Sequence, residues 1–583
     1  MRLEELASLV DEVYQEVLKC VAGPKVKPRS GITEALKALA SNCTVLLSAP
    51  PGYGKTMIPY CTGYLSCTAS GPWPPRTIHV LPLRSIIEDC FRKLFEERGQ
   101  PKVPLLIREA VARQSMDEAG SPWLQKRLIF TTLDTFMMCA MRLPPAEFRK
   151  ITYRVSMGHG LLSKSAILAS AIVFDEVHLF IEEGGKMTSA LSALLWWLKA
   201  FSTPIIIMSA TLPKDIESFV RRKLGNDVKI LKYGVDFVDE DFEGQRRSII
   251  EQLTTEKPRK GDVKEIAEEA CKARESYGRV LVVLNTVRRC VRVAKMLEER
   301  GLRPIVLHGK IVSGQRMHRL EKLRNENWLA VSTQVVEAGV DISAQYLITD
   351  CAPPCALVQR VGRVLRWRRD IGMEGMISIF ANREKLESNL YHGIYDADLV
   401  RTALSFLNVN HDKMAWHLPV MENRVGYERF IEDVWTTSKF TINMDRYVER
   451  KLKRLLYGMA DVRCVLEWFE ALGGSFVREE PLIIGFVNKQ GLREGDSISQ
   501  RTLEKLVEWQ LPLSFSDLRK LPTSGFLTLS RAERGELVVR RGKRPHSVRK
   551  LVSMLLRGEI LGILVPENLY HETYGLTFGG PSS

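Results

Sequence analysis

A chain of 583 residues is longer than one hydrophobic core serves, and a usual domain size of roughly 100 to 200 residues predicts three or four domains. Lysine and arginine outnumber aspartate and glutamate by 84 to 69; the formal charge of +15 favours polyanionic partners through counterion release, although solvated basic surface accounts for the same count. Eleven scattered cysteines with no CxxC pair fit neither a zinc site nor a disulfide framework, which predicts reduced thiols in a cytoplasmic protein, and no run approaches the ~18 apolar residues that would span a membrane.

The opening MRLEELASLVDEVYQEVL is acidic and amphipathic and lacks the basic flank and apolar centre of a signal peptide, so residues 1–30 are expected to form a soluble helical segment. From 43 to about 232, the short apolar runs CTVLLSAP, TIHVLPL, RLIFTT, AIVFDE, PIIIMSAT and KILKY alternate with helical patterns. Such alternation predicts a parallel sheet covered by helices, with ligands at the carboxyl ends of its strands, and sets a first α/β domain at 31–235. Residues 236–262 are charged and poor in apolar runs, and are expected to form a linker. The pattern then restarts with RVLVVLNT, RPIVLHG, WLAVSTQ, YLITDC and MISIFAN, which places a second α/β domain at 263–382. Residues 383–583 read as a mixed accessory region with many Trp, Tyr and Arg and no chemical motif.

The run Ala49-Pro50-Pro51-Gly52-Tyr53-Gly54-Lys55-Thr56 follows a strand and should open a helix, the context a phosphate-binding loop requires. Ala49 stands where the motif has its first glycine. Gly52 and Gly54 allow backbone N–H groups to approach phosphate oxygens, Lys55 supplies a point charge and Thr56 a hydroxyl for Mg²⁺. The strand AIVFDE ends on Asp175, suited to hold the metal, and Glu176, suited to polarise water, with His178 next in the box. ATP and Mg²⁺ are the ligands this pairing predicts.

With these residues placed, the chain resembles a DExH-box helicase of superfamily two, and specifically the CRISPR-associated helicase of type I interference systems. The resemblance covers about 45 to 380 and is carried also by Leu81 to Ile87, Thr131-Thr132-Leu133-Asp134, Ser209-Ala210-Thr211, Asn285-Thr286-Val287, Ser332 to Asp341, and Gln359 to Arg366, where Leu365 replaces a glycine common in relatives. It implies two tandem RecA-like domains and 3′ to 5′ translocation on single-stranded DNA. It further implies that Gln359, Arg363 and Arg366 reach the γ-phosphate, that Gly339 and Asp341 adjoin the nucleotide, and that His178, Ser209 and Thr211 couple hydrolysis to movement. Pro82, Arg84, Thr132, Thr286 and Thr333 are implied to line the nucleic-acid path, holding a backbone without reading bases. Arg363 and Arg366, three apart, are expected on one helical face. RNA-remodelling and repair helicases share the motor motifs, and a nucleotide-switched binding module is a further alternative.

The chain also departs from the pattern. No glutamine lies in 27–39, ahead of the phosphate loop, to read adenine, and the 17 residues 342–358 leave no room for a long strand-separating pin. About 48 residues precede the loop, too few for the His-Asp nuclease that such helicases often carry, and the lone His411-Asp412 dipeptide lacks its ligand set. The expected partners are therefore single-stranded DNA, an RNA-guided surveillance complex and a separate nuclease subunit, with no membrane.

Overall fold

The computed structural model describes residues 3–68, 73–96, 99–113, 120–182, 184–225, 227–337, 339–381, 394–458, 461–532 and 536–578. The expected domain boundary at 382/383, and Ala338 of the motif spanning 332–341, lie outside these residues. The chain divides into two compact units, one formed by 1–145, 158–260 and 337–460, the other by 146–157, 261–336 and 461–583.

The first unit is built on a seven-stranded sheet of β1 (Thr44–Ser48), β2 (Arg76–Leu81), β3 (Val111–Arg113), β4 (Leu128–Thr132), β5 (Ser170–Asp175), β6 (Ile205–Ser209) and β7 (Val228–Lys232). Its order is β3-β4-β2-β5-β6-β1-β7 and every pairing is parallel. Strands β4, β5 and β6 are buried at every residue, which explains why they read as unbroken apolar runs rather than alternating ones. All six runs between 43 and 232 that predict strands form them. The order puts the carboxyl ends of β4, β2, β5, β6 and β1 side by side. Each of these ends opens into a segment singled out above: Thr132, Pro82 with Arg84, Asp175 with Glu176, Ser209 with Thr211, and the glycine loop.

The same unit holds the parallel strands Tyr346–Asp350 and Gly375–Ala381, with the helix Pro354–Val361 between them. The stretch expected as a linker is ordered here. Residues Glu240–Glu251 form a helix, Leu253–Thr255 pairs in parallel with Gly375–Ala381, and Arg259–Lys260 pairs further along the same strand. Buried Phe242, Arg246, Ile249 and Ile250 recur at helical spacing, a stripe that the surrounding charges mask in the sequence. Helices Ala397–Asn410, Tyr427–Thr437 and Arg446–Tyr457 complete the unit.

In the second unit, the parallel strands Ile305–Leu307, Trp328–Ser332 and Arg279–Val283 stand in that order beside the helices Val263–Ser276 and Val287–Glu299, the former opened by an Asp262/Glu265 capping box. The unit also holds a six-stranded mixed sheet formed within 483–565. All five runs between 263 and 382 that predict strands form them, at Arg279–Val283, Ile305–Leu307, Trp328–Ser332, Tyr346–Asp350 and Gly375–Ala381. Among the described residues no helix is long and apolar enough to cross a membrane, and all eleven cysteines are free thiols.

Candidate active site

The glycine loop turns on Gly52 (φ +80°) and Gly54 (φ +100°), left-handed positions that a side chain would strain. Ala49 is not in that region, so the glycine the motif usually carries there is dispensable. The loop is tied to β6 by Ala49 N–H donating to Ser209 O (3.2 Å) and winds into the helix Met57–Thr68 through Met57 N–H to Gly54 O (2.9 Å). Pro50 and Pro51 lie within the turn, and Thr56 sits at the helix entrance. The Tyr53 side chain points away from the loop into the rings of Tyr233, Phe237 and Phe242 (centroids 5.3 to 5.6 Å), where its hydroxyl donates to Asp239 and accepts Gly31 N–H at 3.0 Å. Only its backbone belongs to the cradle.

Lys55 is buried, and its Nζ donates across the loop to Ala49 O (2.7 Å) and Pro50 O (3.4 Å). Burial lowers the pKa of its ammonium, while Glu176 and Asp175 hold the charge on and Arg366 and Arg363 oppose it. The three cations and two carboxylates therefore face one space.

Asp175 ends β5 and accepts Glu176 N–H at 2.9 Å, with buried His79 Nε2 3.4 Å from its other oxygen. Sequence reading missed His79, an apparent core residue of β2. Glu176 adopts φ +49°, a left-handed conformation costing about 1 kcal/mol or more that the β5 end imposes. Its Oε2 accepts Ala210 N–H (3.3 Å) and the Gln359 amide (3.4 Å). His178 Nδ1 lies 2.8 Å from Ser209 Oγ, whose own proton goes to Thr211 O at 2.6 Å. The hydroxyl thus accepts, which assigns the proton to Nδ1. Burial lowers the pKa of His178, outweighing Glu176, so the ring is neutral at pH 7; the stability of this neutral packing is lost as pH falls below the ordinary imidazole range.

The opposite wall comes from 337–366. Here one expectation is corrected. The helix ends at Val361, so Arg363 and Arg366 do not share a helical face. Beyond Val361 the chain turns through Gly362 and Arg363 and then bridges Ala344 at Val364, with Ala344 N–H donating to Arg363 O (2.8 Å) and Leu365 N–H to Ala344 O (2.9 Å). That pairing places Leu365 at φ +46°, a conformation that glycine takes without strain. Arg363 donates to Glu337 O (2.6 Å), and burial beside Arg366 pushes its guanidinium down to about 9. Arg366 Nε and Trp367 Nε1 each reach Asp341 Oδ1 at 3.2 Å; burial, the largest influence, would raise this carboxyl, but Arg366, Lys93, the Trp367 hydrogen bond and Arg363 together outweigh it and the pKa is lowered. Gly339 (φ +71°) lies so close to Ile86 that a Cβ would stand 2.3 Å from it, and a Cβ on Gly362 would meet Pro51 at 3.0 Å. The second wall therefore reaches the phosphate loop itself.

Arg360 supports this wall from behind. Fully buried, it donates to Glu337 (2.8 Å), Thr349 Oγ1 (2.8 Å), Asp350 O (2.9 Å) and Tyr395 (3.1 Å). Arg360→Ala is expected to destabilise the unit by about 3 to 5 kcal/mol, because it strands a buried carboxylate. Thermal unfolding checks this; a melting temperature within a degree of the parent's contradicts it.

The expected nucleic-acid residues lie in both units. In the first, Pro82 is buried, Arg84 opens the helix Arg84–Lys93 with an exposed side chain, and buried Thr132 has its hydroxyl 3.4 Å from that of Thr135. In the second, Thr286 caps the helix Val287–Glu299 by accepting Arg289 N–H (3.2 Å), and Thr333 is buried with its N–H on Leu307 O. The cap accounts for Thr286 on structural grounds alone.

Mg²⁺ fits the donors present. The Asp175 carboxylate and Thr56 hydroxyl are hard oxygen ligands, and no described cluster of three His, Cys, Asp or Glu exists to cage a metal. A cation held by one or two protein oxygens plus nucleotide phosphates is the arrangement Mg²⁺ favours.

Comparison with known proteins agrees with these observations. The DEAD/DEAH box helicase family matches residues 31–219, and the family described as CRISPR-associated nuclease/helicase Cas3, C-terminal, matches 276–369. The CRISPR-associated helicase Cas3 of Thermoproteus tenax is 26% identical over 376 residues, covering 62% of this chain and 58% of its own; several other curated relatives are spanned to less than half their length. The fold matches T. fusca Cas3 with AMPPNP at TM-score 0.59 and 16% identity, over 96% of this chain and 71% of that one. It also matches a chain of a CRISPR RNA-guided surveillance complex, pre-nicking, at TM-score 0.54 and 15% identity, over 94% and 68%.

Proposed function

We propose, for a chain that belongs among the Cas3-type helicases, that it is an ATP- and Mg²⁺-dependent motor translocating 3′ to 5′ on single-stranded DNA. The observation that carries this reading is the convergence of Lys55, Glu176, Gln359, Arg363 and Arg366 on one space. Lys55 and the loop N–H groups hold the β- and γ-phosphates. Asp175 and Thr56 would hold Mg²⁺, which would offset phosphate charge. Glu176 orients the attacking water, with Gln359 holding its carboxylate. Arg363 and Arg366 stabilise charge developing on the transferred phosphoryl group. These donors come from a segment nearly 200 residues beyond the DEVH box, so hydrolysis depends on that wall seating against the loop. Ser209, Thr211 and His178 adjoin both Glu176 and the strand that anchors the loop, a path by which the site is coupled to movement.

In this reading the motor works in the cytoplasm with an RNA-guided surveillance complex opened on target DNA, and delivers the displaced strand to a nuclease carried on a separate chain. The test measures ATP hydrolysis with single-stranded DNA, single-stranded RNA or neither, alongside displacement of duplexes carrying 3′ or 5′ tails. The expected result is stimulation by DNA of about tenfold or more and displacement from 3′ tails only. Stimulation by RNA alone would falsify the DNA reading, and stimulated hydrolysis without displacement in either polarity would favour a nucleotide-switched binding module.

A further inference from the structure

Arg246 stands on the helix Glu240–Glu251, the stretch read from sequence as a linker, and is 6% exposed. Its guanidinium lies 5.0 Å from the centre of the Phe242 ring, and its Nη2 would be 2.6 Å from a Cβ built on Gly52. A guanidinium thus rests directly on the phosphate loop. Among the described residues it has no ion-pair partner and no hydrogen bond.

The cations nearest to it, Arg366 and Arg29, are paired with Asp341 (3.2 Å) and Asp241 (3.0 Å), whereas Arg246 has no such carboxylate. Burial first, then Arg366 and Arg29, push its guanidinium down to about 10. His417, 3% exposed, feels Arg246 and Arg366 after its own burial and is held well below the ordinary imidazole range; its Nε2 has no partner among the described residues. A largely buried cation without a paired anion is costly unless an anion completes the arrangement. Packing on Phe242 explains the stem and ring contact of Arg246 but leaves its donors unused.

We infer that Arg246 is a phosphate-binding residue of the nucleotide site, its guanidinium closing over Gly52 on the polyphosphate of a nucleoside triphosphate that Lys55 and the loop amides hold from below. This rests on the reading of that loop as the nucleotide site. Arg246 comes from a third stretch of chain, separate from both motif-bearing walls, and its planar fork suits two oxygens of a phosphate where a lysine would meet one. The ligand class is the di- or triphosphate moiety, independent of the base. That suits a chain with no glutamine at 27–39 to read adenine.

The test uses the full chain without nucleic acid and measures equilibrium binding of ATP, inorganic tripolyphosphate and AMP. Arg246→Met keeps the apolar stem and removes the donors. It is expected to weaken ATP and tripolyphosphate about 10- to 100-fold, the range for charge-assisted hydrogen bonds, and AMP less than about threefold. A residue that merely packs on Phe242 would change all three alike or none, and either outcome overturns the inference. If Arg246→Met does not fold, as judged by thermal melting, Arg246→Lys replaces it; binding at least about fivefold weaker is expected, and parental affinity overturns the inference. Lys55→Ala separates the two readings. If the parent binds ATP, Lys55→Ala loses it and Arg246→Met retains it, only the role of Arg246 falls. If the parent binds neither ATP nor tripolyphosphate, the nucleotide site falls and this inference with it.

Discussion

Lys55→Ala is expected to lower kcat/KM for ATP by at least about 10³-fold, with KM or binding affinity itself impaired. Magnitudes of about 10² to 10³ accompany the loss of a single well-placed donor to developing charge, and Lys55 serves ground state and transition state alike. The loop is built to present this one ammonium. It lies buried beneath Gly52 and Gly54, bridges Ala49 O and Pro50 O, and faces Asp175 and Glu176. Alanine removes the loop's lysine and takes from Asp175 and Glu176 the cation that faces them. Steady-state hydrolysis with saturating Mg²⁺ checks the prediction. Activity within tenfold of the parent's would mean that ATP is turned over elsewhere.

Arg363→Ala is expected to produce a different defect, a fall in kcat of about 10³-fold or more with ATP affinity changed by no more than a few-fold. Arg363 is buried, held by Glu337 O, and pushed down to about 9 by burial and Arg366. A guanidinium kept under that electrostatic pressure gains most when negative charge grows in front of it, which is the condition of the transition state rather than of bound ATP. Arg366, steadied by Asp341, is the milder case because its charge is already partly answered. The split between kcat and KM is therefore expected to distinguish the two walls, with Lys55→Ala impairing binding and rate and Arg363→Ala rate alone.

Much of this arrangement is legible in the sequence, for reasons that differ by element. The strands of the first sheet announce themselves because burial on both faces demands unbroken apolar runs, and the loops after β1, β5 and β6 carry motifs whose residue types are dictated by phosphate and metal chemistry. The parallel order that sets those loops side by side is less local, but the alternation of strand and helix implies it. The helix over 240–251 was hidden because its four buried positions include Arg246, which reads as one more surface charge. The helical face assumed for Arg363 and Arg366 failed because spacing alone cannot show where a helix stops; Gly362 and the pairing of Ala344 with the chain after it end the helix at Val361. His79 and His417 carried no signal, since a lone histidine in an apolar context is ordinarily core. Arg360, one residue from Gln359, spends its donors on Glu337, Thr349 and Asp350, a supporting role that no local pattern signals.

In the proposed function a single ATP site is assembled from the phosphate loop and from the segment carrying Arg363. Single-turnover release of phosphate from bound ATP by Arg363→Ala, measured beside its equilibrium ATP affinity, tests this most directly. The expected result is affinity within about fivefold of the parent's and a release rate lower by about 10³-fold. Release at the parental rate, with ATP bound as tightly, would contradict it.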